Sequence, residues 1–422
     1  MSSFQRPTGT LDTLPAEQHY WDYVRTHARD LAHRAGFERI DLPMFETTDL
    51  FARGIGAGTD VVEKEMYSFR DKGDHPITLR PEFTAGVVRA YIENGMHVLP
   101  QPVKLYSIGP VFRYERPQAG RYRQHTQLNM EILGDQAPEA DLEIMVLIAD
   151  LYAGFGFEGL SFQLNSTGCP KCRPAYVERL KRYYHFHLDT ICDDCRRRLE
   201  QNPLRVLDCK NEQCQPIIEG APRIGDHLCD ECAEHFAQLR DYLDLLERPY
   251  TLNHRLVRGL DYYTKTVFEV WAGGIGAQSA VCGGGRYDGL AEILGGPSTP
   301  AVGVAAGLER IILVMKDQDV AVPPIPGPDV FLAHLGTAAR REAIRLATML
   351  RQAHVRTWLA FGDRGLRSQL REAGKRGARY VVILGENELA QGSAAVKDMV
   401  SGDQADVALM ELVEWFRERV GP

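Results

Sequence analysis

Apolar positions recur along the chain with two different periods. Over residues 17–35 and 138–154 they return every three to four positions, which predicts long helices that each bury a face. Residues 266–271, short and rich in β-branched and aromatic side chains, and residues 278–282 predict hairpin-like strands. Long helices mixed with such strands predict an α+β unit built on an antiparallel sheet. From about residue 166 to 235 this pattern gives way to a charged, cysteine-rich segment, which has the character of an insertion. After residue 328 strand-like and helix-like stretches alternate. Strands are expected at 330–335, 355–360 and 380–384, and helices at 338–353, 364–374 and 406–420, the last with an acidic cap. Units of this kind predict a small, largely parallel sheet covered by helices. Between the two patterns lies Pro323-Pro324-Ile325-Pro326-Gly327-Pro328, too rich in proline for a helix or a central strand. The expected organisation is therefore a first domain over 1–322, a linker over 323–328 and a second domain over 329–422. No fixed-period repeat or low-complexity tract interrupts it.

Composition adds bounds. The chain has 422 residues, 44% hydrophobic and 25% charged, in the range of a soluble globular protein of two or three domains. No apolar run approaches the ~18 residues of a membrane span. The first residues, Met1-Ser2-Ser3-Phe4-Gln5-Arg6-Pro7, do not lead from a basic stretch into an apolar one, so a cytoplasmic location is expected. The net charge of −8 argues against a non-specific nucleic-acid coat, but it is unevenly spread. Residues 329–422 carry 14 Lys and Arg against 12 Asp and Glu, a net of +2, which leaves −10 for the preceding part.

Four stretches are dense in residues suited to phosphate or to polar small molecules. In Thr78-Leu79-Arg80-Pro81-Glu82-Phe83-Thr84-Ala85-Gly86, an extended backbone would turn Glu82 and Thr84 toward one pocket able to hold an ammonium group, although either could equally cap a helix. Residues 112–131 place Arg113, Arg116, Arg121 and Arg123 around a Pro-Gln-Ala-Gly turn, a cationic hairpin whose forks match phosphate oxygens. Beyond the turn, Gln127 and Glu131 share one face of a strand. Leu256-Val257-Arg258-Gly259-Leu260-Asp261-Tyr262-Tyr263 is followed by Gly283-Gly284-Gly285-Arg286-Tyr287-Asp288-Gly289, whose glycines allow close backbone approach to a ligand or simply a tight turn. The fourth, Ala301–Leu308 with Glu309-Arg310-Ile311, feeds a small-residue strand into a helix that starts near Arg310.

Taken together, these stretches resemble the class II aminoacyl-tRNA synthetases, and among them the histidyl-tRNA synthetase family. Phe112-Arg113-x-Glu115 with its turn resembles the second class-defining motif, Gly307-Leu308-Glu309-Arg310 the third, and the segment from Gly36 to Pro43 the first. The Arg258–Tyr263 and Gly283–Gly289 stretches resemble the two histidine signatures, and the tail resembles a class IIa anticodon-binding domain. Several long motifs in order are more specific than any one of them.

The resemblance implies ATP-dependent attachment of L-histidine to tRNA(His) through a histidyl-adenylate. Arg113 and Arg258 are its expected catalytic residues. Glu82, Thr84, Gln127, Glu131, Arg258, Tyr262 and Tyr263 are expected to bind histidine, with Glu131 and Tyr263 on the imidazole. Arg113, Glu115, Arg121 and Arg310 are expected to bind ATP with its Mg²⁺. Gln118 and Arg123 would meet the acceptor end of the tRNA. Arg364, Arg367 and Arg371, part of a run of six positive residues in sixteen that also includes Lys375, Arg376 and Arg379, would meet the anticodon. The first motif implies a homodimer. A paralogue that binds histidine without charging tRNA would lack the tail and degrade the motifs. A zinc-dependent RNA-binding module would explain the cysteines but not the arginines outside them.

Eight of nine cysteines lie between Cys169 and Cys232. Cys169/Cys172, Cys192/Cys195 and Cys229/Cys232 are CxxC pairs, and Cys209/Cys214 is a looser pair. Two such pairs make one tetrahedral Cys₄ zinc site, so the eight allow one or two structural sites, with the pairing open.

Overall fold

The computed structural model describes residues 4–272 and 280–420, and the chain divides into two compact units, residues 1–322 and 323–422. The expected strand at 278–282 lies partly outside the described residues; its described part belongs to the strand Ala280–Arg286.

The first unit is organised on an eight-stranded sheet. Its six central strands are antiparallel and run, across the sheet, Val103–Phe112, Gln124–Leu133, Ala301–Gly307, Ala280–Arg286, Thr264–Trp271 and Ser161–Ser166. Short parallel strands, Glu38–Arg39 and Tyr250–Leu252, close the two edges. The expected helices form as Gln18–Arg34 and Pro138–Gly154. The first buries Trp21, Val24, Ala28, Leu31 and Ala32 at helical spacing. The second opens on Pro138, whose missing N–H costs nothing in the first turn, with Glu139 and Asp141 favourably placed at the positive end of the helix dipole. Both pack with Leu128, Met130 and Ile132 from one face of the sheet, all within 1% of complete burial. The other face of those strands is left for polar chemistry. Beside it lies a three-stranded antiparallel sheet, Phe45–Thr47, Pro76–Leu79 and Tyr67–Arg70.

The segment between Ser166 and Tyr250 is helical, with Arg173–His185, Asp193–Gln201 and Asp230–Leu245 as its longest elements.

The second unit is a five-stranded sheet ordered Thr357–Leu359, Val330–His334, Tyr380–Leu384, Ser393–Asp398 and Gln404–Ala408, with apolar cores on both faces. Two expectations are corrected here. Only the first three strands are parallel, and the last two pair antiparallel. Residues 404–408 form a strand instead of the start of the closing helix, which is confined to Leu412–Val420. The cause is local. The Asp398 carboxylate accepts from the Val400 and Ser401 N–H groups, and Gly402 adopts φ +84°, so the chain reverses tightly and returns along Ser393–Asp398. An Asp at 406 that looks like a helix cap is instead an exposed strand residue.

No helix among the described residues is long and apolar enough to cross a membrane.

Candidate active site

The site grows from the polar face of the strand Gln124–Leu133. Alternation puts Gln127, Asn129 and Glu131 on that face, all buried. The Glu131 side chain is completely buried. Its Oε1 accepts from Thr84 Oγ1 at 2.6 Å and Asn129 Nδ2 at 2.9 Å, and its Oε2 from the Tyr287 hydroxyl at 2.5 Å. Glycine is required opposite it. A Cβ on Gly303, its partner in the neighbouring strand, would sit 1.5 Å from Oε2. Burial pushes the Glu131 carboxyl up to about 7, against the pull of its three hydrogen-bond donors.

Glu82 lies beside it and is also buried. The extended segment expected for Glu82 and Thr84 is not what forms, because Thr84 opens the helix Thr84–Glu93. The Glu82 carboxylate accepts from the Thr84 and Ala85 N–H groups at 2.5 and 2.9 Å. Helix capping and a pocket-facing position are thus combined in one turn. Burial raises the Glu82 carboxyl as well, and its charge adds to the rise at Glu131.

Three tyrosines wall this pocket, with ring centroids 4.7 Å apart for Tyr262 and Tyr263 and 5.6 Å for Tyr262 and Tyr287. Close approach to them needs glycine. A Cβ on Gly285, at φ +155°, would meet the Tyr263 ring at 2.9 Å, and one on Gly283 would meet the Arg258 guanidinium at 2.5 Å. Arg258 is ion-paired with Glu269 and lies 5.9 Å from the Tyr263 ring centroid. Burial alone would lower its pKa, but Glu269 together with Tyr263 and Tyr262 outweighs burial and raises it. Gln127 Oε1 and Arg258 Nε are buried and have no hydrogen-bond partner among the described residues.

The arginine hairpin borders the same pocket. Arg113 donates from Nε to the Pro81 carbonyl at 2.8 Å, and Glu115 pairs with both Arg113, at 3.9 Å, and Arg121. Arg310, in the helix Leu308–Asp317, donates to the Gly120 carbonyl at 3.0 Å and the Ala280 carbonyl at 2.5 Å. Burial lowers the Arg310 pKa, and Arg121 and Arg113 lower it further by repulsion. His125 is pulled down to about 3 by burial and by Arg113. Mutually repelling guanidiniums held together by carbonyls and one carboxylate suit a ligand of high negative charge. At the tip, Gln118 and Arg121 close a tight turn, and Arg123 stacks 3.8 Å over Tyr114. Between this tip and residues 5–12 lies an open cavity of about 650 Å³, lined by Thr8, Leu11, Pro117, Gln118 and Tyr122 among others.

Residues that had no individual role assigned from the sequence complete the pocket, Tyr287 and Glu309 from within the motifs. Asn129 and Tyr287 hold Glu131, and Glu269 holds Arg258. Glu309, which burial pushes up to about 7, accepts from the Thr126 N–H at 2.8 and 3.0 Å and so joins helix to strand. A signal for Asn129 was present in its even spacing from Gln127 and Glu131. Glu269 is the one acid of the strand Thr264–Trp271, flanked by Phe268 and Val270, and only the fold supplies its partner.

In the second unit, Gln369 is buried and bonds both backbone groups of His334, fixing the helix Leu366–Lys375 to the end of a central strand. Arg364 and Arg376 are tied to Glu372. Arg367, Arg371 and Lys375 are exposed, fall four apart on one helical face, and make no ion pair or hydrogen bond among the described residues. Phe361 is exposed close by in sequence.

The cysteines fall into two sets of four, Cys169/Cys172/Cys229/Cys232 and Cys192/Cys195/Cys209/Cys214, each with its sulfurs within 4.8 Å of one another.

Comparison with known proteins agrees with this geometry. A family model described as histidyl-tRNA synthetase matches residues 9–170 and 215–311, and an anticodon binding domain model matches residues 329–419. The chain belongs to the histidyl-tRNA synthetase family. It is 50% identical over 415 residues to the histidine–tRNA ligase of Pelotomaculum thermopropionicum, covering 98% of each chain, and 48% identical over 417 residues to that of Dehalococcoides mccartyi, covering 99% and 100%. The apo histidyl-tRNA synthetase of S. aureus superposes with a TM-score of 0.83 at 36% identity, over 98% of this chain and 100% of that one. The family is one of class II aminoacyl-tRNA synthetases, and the members are ATP-dependent ligases.

Proposed function

We propose that this pocket joins L-histidine to ATP, releases pyrophosphate, and passes the histidyl group from the adenylate to tRNA(His). The observation that carries the reading is the pairing of two buried carboxylates, Glu82 and Glu131, with a rim of four arginines. Two acids raised by burial gain most from a cationic or N–H-rich ligand, and repelling guanidiniums gain most from a polyphosphate. An amino acid with an ammonium and an imidazole, set beside ATP, supplies both.

In this assignment Glu82, Thr84 and Gln127 hold the ammonium, Glu131 and Tyr263 the imidazole nitrogens, and Tyr262 the wall. Arg258 bridges the histidine carboxylate and the α-phosphate, where its Glu269 partner keeps it oriented. Arg113 grips the α-phosphate, with Glu115 holding it and Arg121 in place, and Arg121 and Arg310 take the terminal phosphate. ATP enters as its Mg²⁺ complex. In-line attack of one anion on another calls for alignment and neutralised charge, which fixed arginines provide, without covalent help from the protein. Specificity follows from Glu131 and its three donors. A side chain lacking matching nitrogens leaves buried polar groups unpaired, which costs a competitor ~10⁴ or more.

Gln118 and Arg123, at the hairpin tip, are assigned to the acceptor end. Arg364, Arg367 and Arg371 are assigned to the anticodon arm, Arg367 and Arg371 carrying the free charge together with Lys375. A homodimer through the Gly36–Pro43 region is supported by the exposed Met44, Phe45 and Phe69 beside it, at 51%, 55% and 49% exposure. Work on tRNA places the enzyme in the cytoplasm. The test is pyrophosphate exchange into ATP with each amino acid, followed by charging of total tRNA. Exchange and charging with histidine alone are expected, and folded protein that exchanges none with histidine refutes the reading.

A further inference from the structure

We infer that the insertion binds two Zn²⁺ ions, one held by Cys169, Cys172, Cys229 and Cys232 and the other by Cys192, Cys195, Cys209 and Cys214, and that the first anchors the wall of the histidine pocket. Neither set is bonded as disulfides; all eight thiols are free. Their spacing is that of a metal site. Four sulfurs at about 2.3 Å from a tetrahedral zinc lie about 3.8 Å from one another. The sulfurs of Cys169 and Cys172 are 3.8 Å apart, those of Cys169 and Cys229 3.7 Å, those of Cys172 and Cys232 3.9 Å, and those of Cys192 and Cys209 3.8 Å. Backbone N–H groups point at these sulfurs, as thiolates require: Cys169 N at 3.3 Å from Cys172 Sγ, Lys171 N at 3.4 Å from Cys169 Sγ, Cys192 N at 3.3 Å from Cys214 Sγ, and Asn211 N at 3.4 Å from Cys209 Sγ.

Packing gives an independent reason. Around the first set the buried apolar cluster consists of Cys169, Cys172 and Cys232, supported only by Leu228 and Cys229. Among the described residues the loop at 169–172 is otherwise joined to the start of the helix Asp230–Leu245 by the exposed Lys171–Glu231 ion pair at 3.1 Å, which contributes little in water, so a metal supplies the cohesion that side chains do not. The second set sits inside a core with Tyr184, Ile191 and Leu199, which buries Cys195, Cys209 and Cys214 and partly buries Cys192.

The first centre is also wired to the pocket. Arg173, next to Cys172, donates to the carbonyls of Thr167, at 2.9 Å, and Gly168, at 3.1 Å, and to the carbonyl of Tyr263. Lys265 N donates to the Gly168 carbonyl at 2.9 Å, and Lys265 Nζ pairs at 3.0 Å with Glu231, which lies between Cys229 and Cys232. Tyr263 therefore takes its backbone position from the loop that carries Cys169 and Cys172.

Metal analysis of the full enzyme purified without chelator tests the sites. About two zinc ions per chain are expected. Cys169→Ser with Cys229→Ser should leave one, Cys192→Ser with Cys209→Ser should leave one, and Cys169→Ser with Cys192→Ser should leave none. Loss of both ions from the first of these doubles overturns the pairing, and a wild type with substoichiometric zinc overturns the sites. Should the variants fail to fold, cobalt titration of zinc-depleted wild type serves instead. Saturation at about two equivalents with the visible bands of tetrahedral cobalt thiolate supports the assignment, and their absence refutes it. The anchoring role rests on the histidine reading. It predicts a rise of about tenfold in the histidine KM of pyrophosphate exchange when the first centre is broken, with a smaller change for ATP, and an unchanged histidine KM overturns it. Protein that holds two zinc ions but exchanges no pyrophosphate with histidine refutes the functional reading and leaves the metal sites standing.

Discussion

Arg113, Arg121, Arg258 and Arg310 in the first unit are each tied to a carboxylate or a backbone carbonyl, and all are at least half-buried. Arg367, Arg371 and Lys375 in the second unit stand in water on one face of a helix and are tied to nothing described. The residue types are nearly the same, but the physics differs. A guanidinium already fixed before its ligand arrives contributes at the moment charge develops, because no reorganisation remains to be done. A solvated side chain contributes by releasing counterions from a phosphate backbone, which gives affinity that salt weakens. One arrangement serves a reaction, the other a surface.

The comparison breaks if the two groups respond alike to substitution. Arg258→Ala has the largest expected effect, a loss of about 10²–10³ in the rate of histidine-dependent pyrophosphate exchange with a much smaller change in histidine affinity. Equal effects on rate and affinity would make Arg258 a binding group only. Next comes Glu131→Gln, expected to raise the histidine KM by about 10²-fold, since a charged, buried acceptor is lost. In the wild type the histidine KM should fall as pH rises through about 7, the range in which Glu131 ionises, and the variant should lack that step. A pH profile that is the same in both would place the titration elsewhere.

Replacing Arg367, Arg371 and Lys375 together with Ala is expected to raise the KM for tRNA by about tenfold and to flatten its salt dependence, with pyrophosphate exchange unchanged. Slower exchange would erase the division between the two groups. The smallest effect concerns stability. Burial raises the Glu131 carboxyl from 4.5 to about 7, so the folded apo form keeps a proton that the unfolded chain has released. Stability should therefore fall as pH rises from 4.5 to about 7 and level off above, and thermal melts of Glu131→Gln should lack that decline.

Much of the frame was legible without coordinates. Helical periodicity located Gln18–Arg34 and Pro138–Gly154, and alternation put Gln127 and Glu131 on one strand face. The strands at 393–398 and 404–408 escaped because they are short and carry Lys397, Asp398 and Asp406, so neither period stands out. Glu82 and Thr84 were paired correctly by spacing but in the wrong local conformation, since a two-residue separation cannot tell a strand from the first turn of a helix.

The sequence alone determined which chemistry the chain carries, through motifs whose residue types and order are local properties: the arginine hairpin, the glycine run, and the cysteine pairs. Tertiary structure decided the rest, because it depends on contacts between residues far apart in the chain. Gly303 leaves room for Glu131, Glu269 orients Arg258, and Cys169 meets Cys229 across sixty residues. Spacing can say that four thiols suit a metal, but only the packing of loop against helix says which four.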